Sequence, residues 1–181
     1  MKPLLACGLL IAACLTGAAQ QQELCTVEGR VVKAGSGEPL SRARVLLQKV
    51  NSRDGYSAST NESGRFVIQN VAPGRYRLGA ERNGYLRAYY GQRRLNQPAS
   101  VLTLEPGQRV ENIVLNLVPF GVITGRVVDE HDEPVARVRM AALRLGYENG
   151  RRELRSGGSV ATTDDRGQYR IFGLAPGKYY V

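Results

Sequence analysis

The chain has 181 residues with 25 basic against 16 acidic side chains, a formal net charge of +9. Only four of the 25 are Lys (positions 2, 33, 49 and 178), leaving 21 Arg scattered along the sequence instead of gathered into one tract, the distribution of a solvated surface. The length allows one or two domains, small β-modules sooner than one large enzyme. No helix-turn-helix pattern, zinc-finger spacing or aromatic RNA-binding signature is present, so nucleic acid is not expected as a partner.

The first element is an export leader. Met1-Lys2 is a short positive region, Pro3 to Leu15 an almost unbroken apolar run, and Thr16-Gly17-Ala18-Ala19-Gln20 offers small residues where a signal peptidase reads. Residues 1–19 are therefore expected to be a signal peptide cleaved after Ala19, too short for the roughly 20 apolar residues of a membrane span. The protein is expected to be exported, to the periplasm, the cell surface or the medium. A competing reading takes Ile11-Ala12-Ala13-Cys14 as a lipoprotein box; membrane association is expected only if Cys14 is lipidated. Cys7 and Cys14 leave with the leader, so Cys25 has no internal disulfide partner. It reads as an inert thiol near a frayed end, with pairing to another chain as the alternative.

Beyond the leader, Arg65-Phe66-Val67-Ile68-Gln69 and Tyr76-Arg77-Leu78-Gly79-Ala80 alternate large apolar with polar or small residues, the period of half-buried strands. Phe66, Ile68, Tyr76 and Leu78 are expected to face one core. Ala72-Pro73-Gly74-Arg75 between them predicts a type II turn, and Asn61-Glu62-Ser63-Gly64 another tight turn. Val101-Leu102-Thr103-Leu104, the Glu105-Pro106-Gly107-Gln108 turn and Val110 to Val118, where Ile113, Leu115 and Leu117 alternate with Asn112, Val114 and Asn116, supply closing strands. Pro119-Phe120-Gly121 is a short junction, predicting close-set units with restricted hinge motion.

The segment after the junction repeats the segment before it. Gly29-Arg30-Val31-Val32 recurs as Gly125-Arg126-Val127-Val128, and Glu38-Pro39 with Arg42-Ala43-Arg44-Val45 recurs as Glu133-Pro134 with Arg137-Val138-Arg139-Met140. Thr60-Asn61-Glu62-Ser63-Gly64-Arg65-Phe66 matches Thr163-Asp164-Asp165-Arg166-Gly167-Gln168-Tyr169, and Val71-Ala72-Pro73-Gly74-Arg75-Tyr76 matches Leu174-Ala175-Pro176-Gly177-Lys178-Tyr179. The offset slips from 96 to 95 between the first matches and is 103 at the later ones, placing a longer central loop, Gly146 to Ser159, in the second copy; Ser156-Gly157-Gly158-Ser159 reads as flexible. No stretch holds helical periodicity over three turns. The expected fold is all-β: two tandem antiparallel β-sandwiches, at 27–118 and 123–181. Counterparts of Gly79 to Val118 would fall after Val181, so the second unit is expected to be truncated, and less stable than the first.

Gly-Arg-Val-Val, Glu-Pro-Leu/Val, Thr-(Asn/Asp)-x-x-Gly-x-(Phe/Tyr) and Ala-Pro-Gly-x-Tyr together resemble the carboxypeptidase regulatory-like domain. The resemblance implies a transthyretin-like, immunoglobulin-like sandwich, grouped with carbohydrate-binding folds of the starch-binding type. It further implies an accessory module without catalytic residues, of the kind found beside peptidases, at the front of outer-membrane transporters or in surface arrays.

Little in the residues suggests chemistry. His131 in Asp129-Glu130-His131-Asp132-Glu133 could be read as a metal cluster, but it aligns with the turn Lys33-Ala34-Gly35-Ser36-Gly37-Glu38. Asp164 and Asp165 could be read as an acid-base pair, but they align with turn residues Asn61 and Glu62. No catalytic residue, cofactor or metal is expected, and no enzyme activity. Of nine Tyr, Tyr76, Tyr169 and Tyr179 read as core. Tyr85, Tyr89 and Tyr90, set among Arg82, Asn83, Arg87, Gln92, Arg93 and Arg94, are the candidate binding residues, for stacking on sugar rings or joining a partner surface. The function expected is a spacer or protein-interaction module, with carbohydrate binding and an accessory role to a peptidase or transporter as alternatives. Expected partners are carbohydrate or another envelope protein.

Overall fold

The computed structural model describes residues 23–95, 97–148 and 150–181. The leader, with Cys7 and Cys14, lies outside them. Every regular element described is a strand. The first unit contains β1 (Cys25–Lys33), β2 (Arg44–Lys49), β3 (Gly55–Ser59), β4 (Arg65–Val71), β5 (Gly74–Glu81), β6 (Ala88–Tyr89), β7 (Leu102–Leu104) and β8 (Arg109–Leu117). A three-stranded sheet β4-β1-β8 faces a five-stranded sheet β3-β2-β5-β6 in which β7 also pairs with β5.

The alternation read from the sequence decides what lies between the sheets. Phe66 and Ile68 of β4, Tyr76 and Leu78 of β5 and Ile113, Leu115 and Leu117 of β8 are buried, with Val27 and Val31 of β1 and Val45 and Leu47 of β2. Cys25 is not at a frayed end: it is fully buried in β1, its Sγ donating to the Glu105 carbonyl at 2.9 Å. Among the antiparallel pairs one is parallel, β1 with β8, from Thr26 opposite Arg109 to Lys33 opposite Leu117.

The Ala72-Pro73-Gly74 segment is not the turn of a hairpin. It carries the chain from one sheet to the other, because β4 pairs with β1 while β5 pairs with β2. Gly74 has φ 149°, open to glycine but far from the φ near +80° of a type II turn. The crossing is fixed by two tyrosines: Tyr76 donates its hydroxyl to the Ala72 carbonyl at 2.7 Å, and the Ala72 N–H donates to the Tyr56 hydroxyl at 3.1 Å. Their rings meet edge to face, 6.1 Å apart.

Burial, and next the charge of Tyr56, pushes the Tyr76 phenol above its ordinary value of 10.0. A group whose folded pKa is raised contributes stability that is complete below the unfolded value and lost as pH rises through the folded one. Stability is thus expected to decline above about pH 10. Tyr76→Phe is expected to cost about 1 kcal/mol at neutral pH through the lost hydrogen bond and to flatten that alkaline decline. Urea unfolding across the pH range checks both.

The second unit comprises β9 (Gly121–Arg126), β10 (Arg139–Glu148), β11 (Arg151–Thr162) and β12 (Gln168–Leu174), with β12 paired to β9 and β10 to β11. Its hydrogen bonds repeat those of the first. Buried Thr60 donates to the Leu40 carbonyl and accepts from the Ala43 N–H, at 2.6 and 2.8 Å; buried Thr163 does the same with Val135 and Val138, at 2.8 and 2.8 Å. Asn61 Oδ1 accepts from the N–H groups of Ser63 and Arg65, and Asp164 Oδ1 from those of Arg166 and Gln168. Tyr179 donates to the Ala175 carbonyl as Tyr76 does to Ala72. The core differs: buried Ala142, Ile171 and Leu174, with half-buried Ile123, Met140, Tyr169 and Tyr179 against them.

The stretch from Gly146 to Ser159 differs from its expected loop. Residues 146–148 of it belong to β10 and residues 151–159 to β11, the two arms of a long hairpin in which Leu145 pairs with Leu154 and Ala142 with Gly157. A register shift between Ala141 and Ala142 takes up Gly158 and Ser159, with Gly158 at φ 70°, so the glycines form a bulge inside a strand.

Candidate binding surface

The three candidate tyrosines fall in different surroundings. Tyr85 is half-buried against the core, with the Arg82 guanidinium 5.5 Å from its ring centroid. Tyr90 is also half-buried against the core, its N–H donating to the Leu78 carbonyl at 2.9 Å. Tyr89, on the two-residue strand β6, lies over the outer face of the five-stranded sheet. It sits opposite Gly79, and Gly79 sits opposite Leu46. A Cβ on Gly79 would lie 2.9 Å from Tyr89 Cδ1, so the bare backbone is what lets the ring settle there.

Around this ring is a cleft of about 390 Å³ lined by Leu46, Gln48, Arg77, Arg87, Tyr89 and Gln92, together with Gln97, Pro98 and Ala99. Gln48 and Arg77 are cross-strand partners on the same face. Gln92 Oε1 accepts the Tyr89 N–H at 3.1 Å, and Arg87 donates to the Tyr89 hydroxyl at 3.5 Å and pairs with Glu81. Those hydrogen bonds, Tyr89 first, hold the Arg87 guanidinium above its ordinary value. The arrangement offers an aromatic ring, amide donors and acceptors, and fixed cations. It brings no nucleophile beside a base. The sequence reading does not assign Gly79 or Gln48 to this surface; a glycine inside an alternating strand is the available signal.

His131 is exposed. Its N–H and that of Glu133 donate to Asp129 Oδ1 at 2.8 and 3.0 Å, which makes Asp129 the organiser of a turn. Among the described residues no group of His, Cys, Asp and Glu is placed to hold a metal ion, and no helix is long and apolar enough to cross a membrane.

The model of the carboxypeptidase regulatory-like domain family matches residues 26–117, the segment that folds as the first unit. The chain belongs to this family. No curated protein sequence matches this carboxypeptidase regulatory-like chain. Among solved structures it is similar to a streptococcal ancillary pilin (18% identity, TM-score 0.45, 88% of this chain and 53% of that one). It is also similar to the Bacillus anthracis TIE protein (15%, 0.43, 83% and 26%) and to 3-chlorocatechol 1,2-dioxygenase from Rhodococcus opacus (13%, 0.37, 56% and 62%). The chain thus spans about half the length of the pilin and about a quarter of the TIE protein.

Proposed function

We propose that this chain is a non-catalytic spacer and interaction module of an exported protein, two carboxypeptidase regulatory-like units in series. The junction carries this reading. The Phe120 N–H donates to the Gly84 carbonyl of the first unit at 3.1 Å, while its ring lies 6.2 Å from that of Phe172 in the second. A spacer needs a junction that holds its units at a set separation, and this one is tied on both sides. With spin labels at Ser36 and Asp165, the parent chain is expected to give one narrow distance distribution and Phe120→Gly a broad one. A broad distribution in the parent sinks the spacer reading.

A second reading is favoured by the Tyr89 cleft: glycan binding on the outer face of the five-stranded sheet. An aromatic ring flanked by amide and guanidinium donors suits a pyranose, whose faces are apolar and whose rim is hydroxylated. Tyr89→Ala is expected to weaken binding of a neutral oligosaccharide about tenfold, and Gly79→Val, which displaces the ring, to do the same without touching a polar group. Titration calorimetry reads both; affinity unchanged in both variants removes this reading.

A further inference from the structure

We propose that Arg42, Arg44 and Arg82 form a carboxylate-binding cleft, whose Arg-x-Arg pair recurs in the second unit as Arg137 and Arg139, that reads the acidic groups spaced along a polyuronate. The inference rests on the glycan reading for the class of polymer, though not for the site. The cleft, of about 710 Å³, is lined by Arg42, Arg44, Glu81, Arg82 and Asn83. Its one carboxylate, Glu81, is engaged by Arg87. No ion pair among the described residues uses Arg42, Arg44 or Arg82, nor Arg137 or Arg139. Three arginines thus line a cleft whose single carboxylate is already paired with Arg87, and the planar fork of Arg matches a carboxylate in bidentate geometry.

The backbone supplies an independent observation. Arg42 has φ 55° and Arg137 has φ 62°, the left-handed region in which a long side chain is disfavoured and Gly or Asn is the usual occupant. Each donates its N–H to the matching threonine carbonyl, Thr60 or Thr163, at 3.0 Å. Each is followed two residues on by a second exposed Arg, Arg44 or Arg139. The turn needs only a backbone that tolerates the left-handed region, yet both units place Arg there, in an Arg-x-Arg pair. Local strain retained twice for a side chain that makes no ion pair points to a role outside the fold.

A polyuronate fits better than the other polyanions. Arg44 faces Glu81 in register, one alternation step along the strands from Leu46, Gly79 and Tyr89, a separation of about 7 Å and comparable to one sugar residue. A chain of acidic sugars can therefore meet the ring and the guanidinium groups on one face. The residues lining the arginine cleft include no apolar side chain to enter a bilayer.

The test is titration calorimetry of the full chain with hexagalacturonate, its methyl ester, a thymidine dodecanucleotide and phosphatidylglycerol vesicles. The parent is expected to prefer the acid to its ester and to both other anions. Arg42→Asn with Arg44→Gln, and separately Arg137→Asn with Arg139→Gln, are expected to weaken acid binding by about tenfold and leave ester binding unchanged. Asn accepts the left-handed backbone, so melting temperatures should hold. Acid binding unchanged in both double variants, an ester bound as tightly as the acid, or preference for the oligonucleotide or the vesicles overturns the proposal. Acid binding lost in the Arg variants while the ester fails to bind the parent at all would retire the Tyr89 reading and leave the arginine cleft standing.

Discussion

Urea is expected to unfold this chain in two steps, the second unit (β9 to β12) first, with midpoints separated by about 1 M or more. Among the described residues the first unit encloses nineteen buried apolar residues in its core cluster and the second Ala142, Ile171 and Leu174. Each large apolar side chain moved from water to a core stabilises by about 1.5–3 kcal/mol. The ordering of a strand costs about the same whether or not its side chains find a core. In the second unit many do not: Leu145, Tyr147, Leu154, Val160 and Phe172 are exposed. Among the described residues β9 also has a bare edge where β1 has β8, so its ladder is open to exchange and to other chains. Hydrogen exchange read by segment is expected to release the amides of β10 and β12 well before those of β1 and β5. A single transition, with all four strands exchanging together, would contradict this.

A second large effect is expected at Gly29. Its added Cβ would lie 2.2 Å from the Ile113 carbonyl oxygen and 2.9 Å from Ile113 Cβ, at a point where the β1–β8 register already slips between Val27 and Gly29 and Asn112 takes φ 61°. Backbone in the middle of a ladder has nowhere to go, so Gly29→Ala is expected to cost about 3 kcal/mol or more, at or beyond the top of the usual range for overpacking. The matching glycine supplies the control. A Cβ on Gly125 meets the Tyr169 ring, its hydroxyl 2.5 Å away, and a half-buried side chain can swing aside. Gly125→Ala is therefore expected to cost about 1 kcal/mol. Equal losses in the two variants, measured on their respective transitions, would show that the Ile113 contact is not what fixes Gly29.

Alternation announced which residues face inward but not which strands are neighbours. Phe66 and Ile68, and Tyr76 and Leu78, read as one strand-turn-strand unit; their inward faces are as read, yet the strands belong to opposite sheets, because period two specifies a side and is silent about a hydrogen-bonding partner. The repeat went further. It matched Thr60 with Thr163 and Asn61 with Asp164, and these residues make the same buried and turn hydrogen bonds in both units. Gly157 and Gly158 misled, since glycine marks a loop and a bulge alike; cross-strand pairing along β10 and β11 decided the matter. At the candidate surface the sequence offers Tyr85, Tyr89 and Tyr90 alike, and only the packing of Gly79 under Tyr89 separates that ring from its neighbours. The left-handed Arg42 and Arg137 gave no signal, because Arg is not a residue type that advertises positive φ.

The parallel pairing of β1 with β8 also bears on tension. Because both strands run the same way, the first unit is entered at the Cys25 end of its three-stranded sheet and left at the opposite, Leu117 end. A pull on the two ends therefore drags β1 and β8 past each other lengthwise. The evenly spaced bonds of a parallel ladder then share the load in shear and cannot open one after another like a zip. Antiparallel terminal strands would bring both attachment points to one end and peel apart from there. In a chain strung between an anchor and a partner, this topology makes the first unit the part that holds its length under force.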